Sequence, residues 1–154
     1  PFFARIMDPA FAISAYDADG TLLGVAGFKT AKGALTGGTF KDIVAIYGWF
    51  GATWRLAPLM LLEREVANDV LLMDGIFVAA HARNRGIGKA LLGAICERAK
   101  AHNCTSVRLD VIDTNPRARV LYERVGFKAL DRHDLGPFKW LFGFSYATTM
   151  TRNV

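Results

Sequence analysis

The densest run of residue types able to do chemistry lies between Asp74 and Lys89. Within it, Arg83-Asn84-Arg85-Gly86-Ile87-Gly88-Lys89 interleaves cationic side chains with glycines. Glycine lets a backbone amide approach a ligand closely, and a helix start leaves its first N–H groups without partners. Such donors, with the helix field behind them, suit the oxygens of a phosphate or pyrophosphate. Arg83, Arg85 and Lys89 can neutralise its charge. A glycine turn that merely begins a helix explains the same residues, so the segment alone leaves both readings open. The Walker pattern is missing, the glycine spacing is not that of a dinucleotide fingerprint, and no later acidic ribose ligand follows.

Other reactive types are scattered. His81, His102 and His133 have no metal-ligand spacing, so no metal site is assigned. Cys96 falls on the apolar side of an expected helix and reads as a small buried hydrophobe, and eight positions separate it from Cys104 with no Cys or His cluster near either.

The elements that must position the basic turn follow from periodicity. Phe11 to Tyr16 and Thr21 to Phe28 read as hairpin strands about the Asp19-Gly20 turn. Residues 29–39 have loop composition. A helical tendency over 40–65 is interrupted by Gly48, Gly51 and Pro58, so two helical segments or a bent one are expected. Trp49, Phe50, Trp54 and Met60 there are core packing or a pocket lining. Val70 to Ala79 is a nearly continuous apolar strand, and period two puts Leu72, Asp74, Ile76 and Val78 on one face. Gly88 to His102 is a helix with an apolar stripe of Ile87, Leu91, Ile95 and Ala99, broadened by Leu92 and Cys96. Ser106 to Ile112 is a strand. Pro116 to Val125 is a short helix opened by Asn115-Pro116 and closed by Gly126. Lys128 to His133 and Gly143 to Met150 complete the pattern as antiparallel strands. Strand-helix units of this kind lay helices against a mixed sheet, an α/β arrangement in a single domain spanning 1–154.

These residues resemble the GNAT superfamily of N-acetyltransferases. Its central signature is Arg or Gln, two variable residues, Gly, one variable residue, then Gly or Ala. Arg83, Gly86 and Gly88 satisfy it, between Ile76-Phe77-Val78-Ala79 and Ala90-Leu91-Leu92. A second resemblance runs from Arg108-Leu109-Asp110-Val111 through Asn115, Ala118, Leu121, Tyr122, Gly126 and Phe127. Together the two cover about residues 70–128. The resemblance implies an acyl-CoA N-acyltransferase-like fold, a mixed central sheet flanked by helices. Only ten residues precede the Phe11 strand, fewer than the family's usual first strand and following helices need. The N-terminus is therefore expected to be shortened or absent, and the chain starts at Pro1 without an initiator Met.

By the same resemblance the cofactor is acetyl coenzyme A and the reaction is direct transfer of its acetyl group to a primary amine, small or protein-borne. The backbone and basic side chains of Arg83, Arg85, Gly86, Ile87, Gly88 and Lys89 would bind pyrophosphate. The strand edge at Ile76 to Ala79 would hold pantetheine, with a backbone donor near Phe77 or Val78 polarising the acetyl carbonyl. Tyr122 matches the tyrosine that protonates the departing thiolate, although a helical tyrosine outside the family is ordinarily a packing residue. Asn115 can bond the pantetheine amide or cap the helix that starts at Pro116, two roles in competition for one side chain. Asp74 is the leading general base, through water, with electrostatic binding of the ammonium as the alternative, and Asp110 is a second strand acid. The competing functions are a non-catalytic coenzyme-A-binding module and a transferase for a larger acyl group.

Bulk properties narrow the partners. The net charge of +5 favours an anionic cofactor, but the basic residues adjoin glycines rather than evenly spaced aromatics, which argues against a nucleic-acid track. The longest apolar runs are too short to cross a bilayer, and no secretory signal opens the chain, so a cytoplasmic, non-membrane protein is expected. Homodimerisation through the C-terminal strands competes with closure of one monomer's core by Phe138, Trp140, Phe142 and Phe144.

Overall fold

A computed structural model describes residues 9–34, 67–134, 136 and 143–154. The aromatic cluster at 49–54, Met60, and Phe138, Trp140 and Phe142 lie outside the described residues.

After a 3-10 turn at Pro9–Phe11, the strands are β1 Ala12–Tyr16, β2 Leu22–Thr30 and β3 Gly33–Ala34, followed by β4 Val70–Val78. A second 3-10 turn, Ala80–Ala82, leads to helix α1, Ile87–Ala101. Then come β5 Ser106–Ile112, helix α2 Pro116–Arg124, β6 Lys128–Asp134 and β7 Tyr146–Asn153. They form one seven-stranded sheet in the order β1-β2-β4-β5-β7-β6, with β3 paired to β2. Among the described strands only β4 and β5 pair in parallel. The expected mixed sheet flanked by helices is therefore present.

Local chemistry explains the elements. Asp17 holds the first hairpin by accepting the amides of Asp19 and Thr21 at 3.0 and 2.8 Å, and Gly20 takes the left-handed conformation the turn needs (φ 81). Helix α1 buries Leu91, Leu92, Ile95, Cys96 and Ala99, the stripe its sequence spells out. At its end Asn103 is left-handed, and the Cys104 amide reaches back to the Ala99 carbonyl at 2.9 Å, a closing motif in which Asn substitutes for glycine. Cys96 and Cys104 are both buried free thiols.

The crossovers β4-α1-β5 and β5-α2-β6 move across the sheet in one direction, so the usual right-handed sense puts both helices on one face. That face holds Ala26, Phe28, Leu71, Met73, Val107, Leu109, Val111 and Met150 in one core with α1 and with Tyr122 and Phe127. Each fully buried Leu or Ile there contributes roughly 1.5–3 kcal/mol.

Three expectations are revised. Residues 29–39 are not all loop: β2 runs to Thr30 and turns into β3, where Gly33 lies so close to the Phe11 ring that a Cβ would stand 2.4 Å from it. The last strand sits three residues later than periodicity suggests, at Tyr146–Asn153. The β4 faces also differ. Between Gly27 and Phe28 the pairing with β4 jumps from Gly75 to Met73, leaving Asp74 as the extra residue of a β-bulge. A bulge shifts the side-chain phase by one. Ile76 and Val78 thus pack on the same core as Leu71 and Met73, not beside Leu72 as strict alternation required.

Candidate active site

The sheet opens at its centre. β4 and β5 share only the rungs Val70–Ser106, Leu71–Val107 and Leu72–Arg108, although β4 continues to Val78 and β5 to Ile112. Beyond Leu72 the inner edge of β4 has no strand beside it among the described residues. The Ala79 amide donates to the Leu23 carbonyl at 2.9 Å, which makes Gly24–Val78 a non-hydrogen-bonded pair and Val25–Phe77 a pair exchanging both bonds. The Phe77 N–H is therefore spent on β2, whereas the N–H groups of Ile76 and Val78 point into the opening. Of the two expected backbone donors, Val78 is the one this geometry leaves free, and the Phe77 side chain is 74% exposed.

The basic turn stands at the mouth of this opening. Asn84 and Gly86 are left-handed (φ 60 and 79), and a left-handed residue within such a turn swings successive N–H groups towards one concavity. The Ala90 amide makes the first helical bond, to the Gly86 carbonyl at 3.0 Å. Among the described residues the amides from Asn84 to Lys89 have no acceptor. Arg83 does not extend towards them, because its Nε donates to the Val78 carbonyl at 3.3 Å and ties the turn to the strand end. Arg85 and Lys89 are exposed and, among the described residues, form no ion pair. They are the charges available to an anion. Gly88 has a packing reason to be glycine: a Cβ there would stand 3.1 Å from Leu121 Cδ2, so the start of α1 abuts α2 one residue from Tyr122.

Tyr122 is held by the end of its own helix. Asn115 caps the start, its Oδ1 accepting the Ala118 amide at 3.2 Å, with Pro116 in the first turn. The cap uses only Oδ1, so the Asn115 amide nitrogen stays available and the two expected roles are compatible. At the other end Gly126 is left-handed (φ 96), the Phe127 amide donates to the Tyr122 carbonyl at 3.0 Å, and the Gly126 amide to the Glu123 carbonyl at 3.0 Å. This is a Schellman closure, and its usual apolar contact is here the Phe127 ring, 6.1 Å from the Tyr122 ring. Gly126-Phe127 thus fixes the tyrosine. Tyr122 is 5% exposed; burial pushes its phenol above the ordinary value, so it keeps its proton at neutral pH. Among the described residues its hydroxyl forms no hydrogen bond.

The acids lie on the sheet face opposite the helices. Although Asp74 as a residue is open to solvent, desolvation pushes its carboxyl above the ordinary value, and the Lys29 charge pulls it partly back. The exposure limits how far that shift can go. Lys29 pairs with Leu72 across β2 and β4, a neighbour that local sequence did not reveal. Asp110 accepts a short hydrogen bond from the Thr149 hydroxyl across β5 and β7, so it is engaged within the sheet. Among the described residues no cluster of His, Cys, Asp and Glu could hold a metal ion.

Residues 2–127 match the family model described as the acetyltransferase (GNAT) family. A probable spermine N(1)-acetyltransferase of Bacillus subtilis subsp. natto is 28% identical over 67 residues, 43% of this chain and 44% of that protein. A thialysine N-epsilon-acetyltransferase of Bos taurus is 33% identical over 60 residues, 39% of this chain and 35% of that protein. The chain thus matches less than half the length of each. Among solved structures, a GCN5-related N-acetyltransferase from Kribbella flavida superposes with a TM-score of 0.64 at 21% identity, over 98% of this chain and 74% of that one. A streptothricin acetyltransferase candidate from Bacillus anthracis, in complex with acetyl coenzyme A, gives 0.62 at 18% identity, over 93% and 61%. The match over residues 2–127 covers the strand opening, the amide-rich turn and the helix of Tyr122, and the chain belongs to the GNAT family of acetyltransferases.

Proposed function

We infer that the protein transfers the acetyl group of acetyl coenzyme A to a primary amine, on a small molecule or a protein. The observation that carries this reading is the β4–β5 opening, whose β4 edge ends at a turn of amides that have no acceptor among the described residues. A peptide-like arm with two amides and a pyrophosphate at its end is the shape of ligand such a site fits. Pantetheine extends along Ile76 and Val78 as a substitute strand. The pyrophosphate meets the amides of Asn84 to Lys89, with Arg85 and Lys89 for charge. The Asn115 amide nitrogen, left over by the Oδ1 cap, donates to a pantetheine carbonyl.

The thioester carbonyl lies at the Val78 N–H, which stabilises the negative charge developing on its oxygen. The amine nitrogen attacks the carbonyl carbon, the new C–N bond forms, and the C–S bond breaks. Tyr122 gives its proton to the departing thiolate, releasing free coenzyme A. Asp74 takes the proton shed by the amine, through water, from the opposite face of the sheet. A carboxyl raised above its ordinary value is better matched to that task than an unperturbed one. A cytoplasmic setting agrees with two buried free thiols. Among the described residues no helix is long and apolar enough to cross a membrane.

The test is thiol release from acetyl coenzyme A on mixing with small amines, lysine peptides and peptide N-termini. Turnover with at least one class is expected. Coenzyme A binding without turnover on any class supports a non-catalytic module instead, and faster turnover with longer acyl donors supports a larger acyl group.

A further inference from the structure

Arg108 occupies the last rung that β4 and β5 share, opposite Leu72. Its neighbours Val107 and Leu109 are buried in the helix-side core, so alternation turns Arg108 to the face that carries Asp74 and Lys29. It stands there at the closed end of the opening. Its Nε is sealed from solvent, yet among the described residues it has no hydrogen-bond partner and its guanidinium forms no ion pair. The nearest acid on its own strand face, Asp110, accepts from the Thr149 hydroxyl and, among the described residues, forms no ion pair with Arg108. A buried unpaired N–H is unfavourable, and on a cation more so, which marks it as a group awaiting a partner.

The coenzyme does not supply that partner. Its phosphates belong at the Asn84–Lys89 turn, beyond the C-terminal end of β4, whereas Arg108 lies at the opposite, paired end. A guanidinium offers two parallel N–H groups in a fixed fork, the match for a carboxylate. The same face presents Asp74 to an ammonium ion. One face thus offers a cation-binding acid and an anion-binding guanidinium on adjacent strands.

We propose that the acceptor carries a carboxylate besides its reacting amine, and that Arg108 binds that carboxylate while Asp74 receives the amine. The acceptor class is therefore an amino acid or an ω-amino acid rather than a simple alkylamine or polyamine. This rests on the acetyl-transfer reading of the opening.

The experiment measures equilibrium binding to the full chain saturated with coenzyme A, which lacks an acetyl group and permits no turnover. The probes are ω-amino acids from glycine to 6-aminohexanoate, and lysine, each against the n-alkylamine of equal length. At least one amino acid is expected to bind about 10- to 100-fold more tightly than its alkylamine. Arg108→Gln should remove that advantage while leaving alkylamine and coenzyme A affinity unchanged. Arg108→Lys should keep only part of it, since it retains the charge and loses the fork. Equal binding of amino acids and alkylamines overturns the proposal. So does an equal loss for both classes in Arg108→Gln, or no binding by any amino acid. If carboxylate-dependent binding holds but acetyl coenzyme A gives no product, the catalytic reading fails and the Arg108 site stands.

Discussion

Substituting Gly88 separates two reasons for a glycine in the turn: room for a ligand, or room for the neighbouring helix. A Cβ at position 88 would lie 3.1 Å from Leu121 Cδ2, inside the roughly 3.5–4.0 Å optimum for two carbons. Gly88→Ala gains up to about 1 kcal/mol of helix propensity and loses a similar amount to crowding at the lower end of the overpacking range, so its net effect is near zero. Gly88→Val adds two methyl groups towards α2 and forfeits much of the propensity gain; a loss of about 2–3 kcal/mol is expected. Leu121 is half-buried, so Leu121→Ala alone costs about 1–2 kcal/mol, below the range for a fully buried leucine. Because the two side chains contest one space, the double variant should be more stable than the sum of the single changes by about 1 kcal/mol or more. Urea denaturation measures the cycle, and calorimetry measures coenzyme A affinity for each variant. Affinity should fall in Gly88→Val, as α1 is pushed off α2, and recover in the double variant. A Gly88→Val variant that folds with full stability yet loses the coenzyme, with nothing restored by Leu121→Ala, would overturn the packing role. Gly88 would then serve ligand approach alone.

Two further substitutions test the chemistry. Tyr122→Phe removes a hydroxyl that makes no hydrogen bond among the described residues, so stability should change by no more than about 0.5 kcal/mol. Acetyl coenzyme A affinity should hold while kcat falls by about 100-fold, and rapid thiol release by the variant would count against the acid role. Asp74 has its carboxyl raised above the ordinary value of 3.8, so the folded state binds its proton more tightly than the unfolded chain does. That contribution to stability is fully present below the ordinary value and is lost as pH rises through the folded one. Asp74→Asn should therefore give a slightly higher Tm at neutral pH, with the difference vanishing in acid, while the acidic limb of the kcat/KM profile disappears. A lower Tm at neutral pH, or an unchanged pH profile, contradicts this assignment.

Much of the site was legible because it depends on local backbone requirements. Gly86 and Gly126 stand where φ is positive, and Asn115-Pro116 opens α2 as capping chemistry dictates. The apolar stripe of α1 gave its buried face directly. What stayed hidden depends on pairing across the sheet. The bulge at Asp74 follows from register against Gly27 and Phe28, and nothing within β4 announces it, so strict alternation misassigned Ile76 and Val78. The choice of Val78 over Phe77 as donor needed the Ala79–Leu23 bond. The packing role of Gly88 needed Leu121, thirty-three positions away in the chain, and the unpartnered Nε of Arg108 shows only once the sheet is assembled around it.

The central claim is that one strand edge and one turn receive the coenzyme, and amide-resolved NMR during titration with acetyl coenzyme A tests it most directly. Saturable shifts should be largest at the amides of Asn84 to Lys89, with Ile76 and Val78 moving downfield as they gain acceptors, and β1 amides should stay in place. Saturable binding whose shifts bypass both the turn and the β4 edge would contradict the account, as would no binding at all.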